Sequence, residues 1–431
     1  MKPPLMNMSA QATLVWDGQR AVSAGALLGQ ARVLAEQLGK TRRARINLCE
    51  QRAHFLLGVL AALLRGETTL LPPNRAATSI AELQVRHAGA ALLDDARVQQ
   101  AREATDSTRW DEIPSIAGDT QAAILYTSGS TGAPQAQHKR WDRLYAGSRL
   151  LGRRLPIPAQ GGRIVATVPP QHMFGLETSI LLPLTAGVAV DAARPFFPQD
   201  IQSHLAAAGP GAMLMTTPLH LRACLDAGLD WPRPAFILSS TAPLSPQLAT
   251  RAEQAFHAPV LEIYGSTETG ALATRRPAAD TRWQPLDEVR LEPRADHSIA
   301  HGPQLEGAVR LNDRIEIHAD GRFTLLGRAA DMLNIAGKRA SLAELTQKLL
   351  AIPGVEDAAL LPPEDNPRGR QRLCALLVAP DLDEAALNRA LAELMDPVFR
   401  PRPLYRVPKL PRNDTGKLPR KALLELLGSL T

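Results

Sequence analysis

The 431-residue chain has only three cysteines, Cys49, Cys224 and Cys374, widely separated along the sequence. There is no Cys-x-x-Cys pair and no histidine at metal-ligand spacing from them, which argues against a zinc framework or a disulfide scaffold. Such thiols read as buried or idle groups in a reducing compartment. Aromatic residues are scarce, at 4%, and no dense Lys/Arg block with interleaved aromatics occurs. The net charge of +6 therefore suits nucleotides or an acidic protein better than nucleic acid. Long apolar runs are also missing. The longest, Phe55 to Leu64 and Ile180 to Val190, are too short to span a bilayer. The first residues, MKPPLMNMSAQ, lack the apolar stretch of a signal peptide. These absences predict a cytoplasmic protein with no stable membrane insertion and no nucleic-acid partner. Hydrophobic content of 45% and charged content of 21% are ordinary globular values.

The length allows two or three domains. Residues 23–38 (SAGALLGQARVLAEQL) carry helical periodicity behind an N-cap at Ser23. Residues 44–48 read as a strand, 54–64 as a helix and 68–71 as a strand, an alternation that predicts parallel α/β layers. Further strand-like runs fall at 123–127, 164–168, 212–216, 236–239 and 260–264. From about 280 to 323 the pattern changes to short strands and turns. A second domain is expected from Arg328, with helices at 342–351 and 383–395, strands at 355–361 and 372–378, and a last helix from about Pro419.

The strand AAILYT runs directly into Ser128-Gly129-Ser130-Thr131-Gly132. Backbone amides in such a loop can converge on phosphate oxygens, and its hydroxyls add donors. Gly-Lys-Ser/Thr is missing, so this is not a P-loop. By itself a Ser/Gly/Thr cluster is more often a flexible loop. In context, YTSGSTGAPQ (126–135) resembles the phosphate loop of the acyl-adenylate-forming superfamily, which includes acyl-CoA synthetases, nonribosomal peptide adenylation domains and luciferases. Four further segments resemble that superfamily in its order: PPQHMFGL (169–176), EIYGSTETG (262–270), GRFTLLGRAADMLNIAGKR (321–339) and LPRNDTGKLPRKAL (410–423).

The resemblance implies an α/β fold. A large N-terminal domain (1–327) would hold layered, mostly parallel sheets with helices and a reduced β-rich subdomain. A small mobile α+β domain (328–431) would carry the catalytic lysine. It implies ATP and Mg²⁺ as cofactors, with Thr127 to Gly132 cradling the β- and γ-phosphates. Thr267 would contact the α-phosphate and Glu268 would hold Mg²⁺, a hard ion suited to carboxylates. Tyr264 would stack near adenine, with Gly265 and Thr241 beside it. Asp313 would grip the ribose hydroxyls, joined by Arg328, and Asp331 would be the hinge. Lys417 would bridge substrate carboxylate and α-phosphate. His172 would flank the acyl pocket, walled by Phe174, Gly175, Met215, Thr217, Ser239 and Gly265, and would gate the thiol channel. Taken singly, Tyr264 also reads as a core aromatic, Asp313 as a turn residue and His172 as a structural histidine. Two departures stand out: Gln135 replaces the usual lysine of Pro-Lys-Gly, and Leu311-Asn312 replaces Thr-Gly before Asp313. His138, Lys139 and Arg140 follow Gln135 as candidate substitutes for the missing cation.

Only about forty residues separate the Glu268 segment from Asp313. This short form resembles the ligases of aryl polyene and xanthomonadin-type pigment biosynthesis. That implies a small aryl acid such as a hydroxybenzoate, and a phosphopantetheine thiol on an acyl carrier protein as acceptor. The stretch from Arg400 to Lys421 holds eight Lys/Arg residues and one aspartate, a charge that would attract an acidic carrier protein or equally the phosphates of coenzyme A. Two alternatives remain at this level: a ligase using free coenzyme A, and an adenylate-binding protein without catalysis.

Overall fold

A computed structural model describes residues 2–38, 44–103, 110–128, 134–328, 331–335, 338–363, 372–412, 416 and 418–430. The chain folds as α/β layers. One sheet has nine strands, in the spatial order 284–285, 270–275, 260–266, 236–239, 212–216, 163–166, 189–191, 13–17 and 20–23. Its centre, from Val260–Ser266 across to Thr13–Asp17, is wholly parallel. A second sheet runs Ala91–Leu93, Ala44–Asn47, Thr68–Leu71, Gln121–Ser128 and Pro134–Arg140, parallel except for the last strand.

Parallel sheets are stable only with both faces covered, and alternate residues here enter different cores. Ile164, Ala166, Met213 and Met215 point into a cluster shared with Ala123 and Leu125 of the second sheet. Val165, Leu214, Ile237 and Val260 point the other way, onto helices Pro198–Ala208, Pro218–Asp226 and Pro246–Phe256. Between the sheets lie helices Ala24–Gln37, Arg52–Leu64 and Trp141–Arg154. The first is capped as the sequence predicts: the Ser23 hydroxyl accepts from the Ala26 amide at 3.2 Å.

Three features escaped the sequence reading. The first is the N-terminal hairpin Thr13–Asp17/Arg20–Ser23, which closes the edge of the large sheet. The second is Pro134–Arg140, which folds back as an antiparallel strand before helix Trp141–Arg154. The third is a π-helical turn, Glu177–Leu181, between helices Met173–Leu176 and Leu182–Ala186. Pro183 has no N–H to close an α-helical bond on Ser179, and Ser179 turns its own hydroxyl back to the Gly175 carbonyl at 2.7 Å.

Small antiparallel sheets follow the large one: 290–293/298–301/309–311, then 313–317/323–328. Beyond these, the hairpin 332–335/338–341 leads to a three-stranded sheet of 357–361, 374–378 and 404–406. That sheet packs Leu345, Leu349, Leu387 and Leu391 on one face and Leu423 and Leu427 on the other.

Candidate active site

The site begins at the strand pair 121–128/134–140. Thr127 lies opposite Gln135, Leu125 opposite Gln137 and Ala123 opposite Lys139. Strand alternation puts these six on one face, toward the layer between the two sheets, while Ile124, Tyr126 and Ala136 pack into the far core. Gly129, Ser130, Thr131 and Gly132 lie outside the described residues, and Ser128 is located by its backbone pairing with Pro134.

The aromatic corner is assembled from distant segments. The Tyr264 hydroxyl donates to the Asp313 carboxylate at 2.9 Å, across 49 positions. The Tyr264 ring meets Trp283 and Phe323 at centroid distances of 5.6 and 5.8 Å, spacings typical of favourable ring pairs. Asp313 sits opposite Arg328 in the small hairpin, and its carbonyl accepts from Ser298 Oγ at 2.9 Å. Nearby, Glu262 is buried and doubly engaged. It accepts from the Leu244 amide at 2.8 Å and pairs with Arg275 at 2.6 Å, which fixes the turn that follows Ser239. Thr241 in that turn has φ of 79°, a backbone region that threonine rarely adopts. The Ser239 and Thr241 hydroxyls are buried with no hydrogen-bond partner among the described residues. Such orphans carry a cost unless a ligand meets them.

Ser266 to Thr269 form a loop braced by two reciprocal bonds. The Ser266 amide donates to Thr269 Oγ1 at 3.1 Å, and the Thr269 amide to Ser266 Oγ at 3.3 Å. Glu268 is exposed at its tip, with Thr267 half-buried beside it. The Lys139 ammonium donates to the Glu268 carbonyl at 2.7 Å. Gly265 and Gly270 close the loop: a Cβ on Gly265 would lie 2.2 Å from the Gly270 carbonyl oxygen, so no side chain fits there. Among the described residues no group of three or more His, Cys, Asp or Glu could hold a metal. Glu268 would act with phosphate oxygens, the manner in which Mg²⁺ is usually bound. The orphaned hydroxyls and this exposed carboxylate fit ATP and Mg²⁺.

On the expected acyl side, His172 is half-buried just before helix Met173–Leu176. Phe174 and Gly175 are buried, and a Cβ on Gly175 would meet the Pro169 carbonyl at 2.0 Å. Met215 is fully buried at the centre of the large sheet. Thr217 caps helix Pro218–Asp226, accepting from the His220 amide at 3.3 Å and bonding His220 Nδ1 at 2.9 Å. Burial holds the His220 imidazole down at about 4, so it is neutral at pH 7.

Glu177 went unnoticed in the sequence because it lies in a mostly apolar run. It is buried, and its Oε1 accepts from the Ala271 amide at 3.1 Å, directly behind the Glu268 loop. Burial raises its carboxyl to about 7, against the lowering effects of that amide and of Lys139. Lys139 is itself held below the usual lysine range, by burial first, with Glu177, Glu268 and Glu306 opposing.

Lys417 lies outside the described residues, but its neighbour Gly416 does not. A methyl group on Gly416 would lie 3.8 Å from Leu219 Cβ and 3.9 Å from Thr241 Oγ1. Arg412 holds this segment, donating to the Gly416 carbonyl at 2.6 Å and gripping Asp357 at both carboxylate oxygens, at 2.6 and 2.7 Å. Asp331 lies between the last strand of the small hairpin and the hairpin 332–341. Lys338 pairs with Asp396.

The parallel-sheet scaffold, the exposed Glu268 loop held to the strand pair 121–128/134–140 by Lys139, and the orphaned Ser239 and Thr241 hydroxyls together suit a nucleotide. Comparison with known proteins specifies the site further. Residues 40–291 match the AMP-binding enzyme family and residues 344–417 match the AMP-binding enzyme C-terminal domain. A 4-coumarate–CoA ligase of Rhodobacter capsulatus is 33% identical over 305 residues, covering 69% of this chain and 75% of that protein. The anthranilate CoA ligase AuaEII in complex with anthranoyl-AMP superposes with a TM-score of 0.81 at 17% identity, covering 99% of both chains. The O-succinylbenzoate coenzyme A synthetase MenE of Bacillus subtilis, in complex with ATP and magnesium ion, gives 0.79 at 20% identity, covering 96% of both. The chain belongs to the AMP-binding enzyme family. It is an ATP-dependent acid–thiol ligase with ATP and Mg²⁺ as cofactors.

Proposed function

We propose that this ligase activates a small aryl carboxylic acid, such as 3- or 4-hydroxybenzoate, to acyl-AMP. It then passes the acyl group to the phosphopantetheine thiol of an acyl carrier protein, in pigment biosynthesis. In the first half-reaction a carboxylate oxygen attacks the α-phosphorus of ATP and pyrophosphate leaves. Charge grows on phosphate oxygens, so fixed donors and cations do most of the work. Thr127, Ser128, Gly129, Ser130, Thr131 and Gly132 hold the β- and γ-phosphates. Thr267 meets the α-phosphate and Glu268 holds Mg²⁺. Tyr264, Gly265 and Thr241 form the adenine face, while Asp313 and Arg328 hold the ribose. The Lys417 ammonium bridges the two reacting anions.

In the second half-reaction the thiol sulfur attacks the acyl carbon and AMP leaves. The small domain turns about Asp331 to withdraw Lys417 and admit the thiol past His172. For an aryl ring the wall would be Phe174, Gly175, Met215, Thr217 and Ser239, all of them buried and the first and third apolar. The coumarate and anthranilate ligases among the relatives add to that support.

The observation that carries the acceptor is the exposure of Arg406 and Lys409 together on the small domain. Arg400 does not belong to that face, because it donates to the Met395 and Ala392 carbonyls at the end of helix Glu384–Leu394. Rim charges act mainly on association rate and are screened by salt. Arg406→Glu with Lys409→Glu should slow transfer to holo-carrier protein about tenfold at low ionic strength, with acid-dependent ATP–pyrophosphate exchange unchanged. Lys417→Ala should slow that exchange by about 10²-fold or more, a typical loss for one preorganised electrostatic contact. Transfer from supplied acyl-adenylate should be largely spared. Turnover with coenzyme A and none with any holo-carrier protein would overturn the carrier reading in favour of a coenzyme A ligase. Absence of exchange with every acid in an aryl and aliphatic panel would leave only adenylate binding.

A further inference from the structure

The cation missing at Gln135 has a structural counterpart elsewhere. Gln135 and Lys139 stand on the same face of one strand, with unbroken alternation between them. At about 3.3 Å per residue their Cα atoms are roughly 13 Å apart, so the Lys139 ammonium works at a different point from a lysine at 135. Its position is set by the Glu268 carbonyl, which it reaches at 2.7 Å across 129 residues of sequence. Glu177, Glu268 and Glu306 lie near enough to favour its charged form against burial. The Ser266–Thr269 loop is braced internally by its two hydroxyls. Among the described residues, the bond from Lys139 is the one that ties that loop to the phosphate hairpin.

We propose that Lys139 is a positioning residue that fixes the Glu268 loop against the strand pair 121–128/134–140, so that the Glu268 carboxylate is set in place before ATP·Mg²⁺ arrives. The inference rests on the assignment of Glu268 and the hairpin to ATP and Mg²⁺. A charge-assisted bond to a backbone carbonyl is stronger than a neutral one, and a preset loop has less freedom to lose on binding. Lys139 acts through Glu268 and need not touch phosphate.

The test is calorimetric titration of ATP and of AMP, with and without Mg²⁺, on the full chain, together with amide exchange at 266–270. In the wild type Mg²⁺ should tighten ATP binding. Lys139→Met should weaken ATP in Mg²⁺ about tenfold, with less than a twofold change for AMP without Mg²⁺, and should speed amide exchange in the loop about tenfold. Lys139→Arg, which keeps a cationic donor, should recover most of both. The double variant Lys139→Met with Gln135→Lys should stay impaired, because a lysine at the hairpin mouth cannot hold the loop. Rescue by that double variant would show that Lys139 serves as a phosphate cation, and would overturn the proposal. Equal weakening of ATP and AMP with slow loop exchange would reduce Lys139 to general packing, and wild-type behaviour in Lys139→Met would remove it altogether. A wild type that binds no ATP would instead refute the underlying assignment.

Discussion

Replacing Glu177 by glutamine should make the protein's stability less sensitive to pH. Glu177 is buried behind the Glu268 loop, and burial raises its carboxyl from 4.5 to about 7. Below 4.5 the group is protonated in both folded and unfolded chains and has no pH-dependent effect. Between 4.5 and about 7 the unfolded chain releases this proton while the folded chain keeps it. Unfolding is thereby favoured progressively, and the protein loses stability as pH rises. Above about 7 both forms are ionised and the loss is complete. At 1.36 kcal/mol per pKa unit, the displacement corresponds to about 3 kcal/mol across the window. Glutamine keeps an oxygen acceptor for the Ala271 amide but has no proton to lose. Relative to wild type, Glu177→Gln should therefore gain about 3 kcal/mol of stability between pH 4.5 and pH 8. All five tryptophans, Trp16, Trp110, Trp141, Trp231 and Trp283, precede residue 328. Denaturant unfolding followed by tryptophan fluorescence thus reports on the segment that holds Glu177. A wild-type-minus-variant difference that stays constant from pH 4.5 to pH 8 would refute the reasoning, because it would mean that Glu177 titrates alike in the folded and unfolded chains.

Two further outcomes are expected. Tyr264→Phe keeps the ring against Trp283 and Phe323 but removes the bond to Asp313, a net contribution of about 1 kcal/mol; AMP affinity should fall about fivefold in equilibrium titration, and an unchanged affinity would detach Asp313 from the nucleotide. Asp357→Asn weakens the two-pronged grip on Arg412, which in turn holds the Gly416 carbonyl. Pyrophosphate exchange should slow about tenfold, with transfer from supplied acyl-adenylate nearly unchanged; equal slowing of both steps would show that the grip serves the small domain as a whole.

The sequence by itself determined the class of fold and the order of many of its elements along the chain. Runs such as Ala212–Thr216 and Phe236–Ser239 are short, mostly apolar and flanked by turns and helices, the pattern of strands in a parallel sheet covered on both faces. Ser23 announced its helix because an N-cap is a local transaction between one side chain and an amide three residues on. The resemblance of five ordered motifs then indicated a family to which the chain belongs. What the sequence left out has a common physical character, since each case depends on groups far apart along the chain. Pro134–Arg140 is mostly polar, and it is a strand because Gln121–Ser128 offers it a hydrogen-bonding edge. Glu177 sits in an apolar run and shows its perturbed acidity only when Ala271, 94 residues away, packs over it. Lys139 looks like one more surface cation until the Glu268 carbonyl, contributed by the other sheet, reaches its ammonium. Tyr264 and Asp313 come together only because a separate antiparallel hairpin, 313–317/323–328, brings Asp313 to the large-sheet strand that carries Tyr264. Local propensity and periodicity decide elements and their order, whereas burial and long-range charge are set by tertiary packing, and it is those that give the site its chemistry.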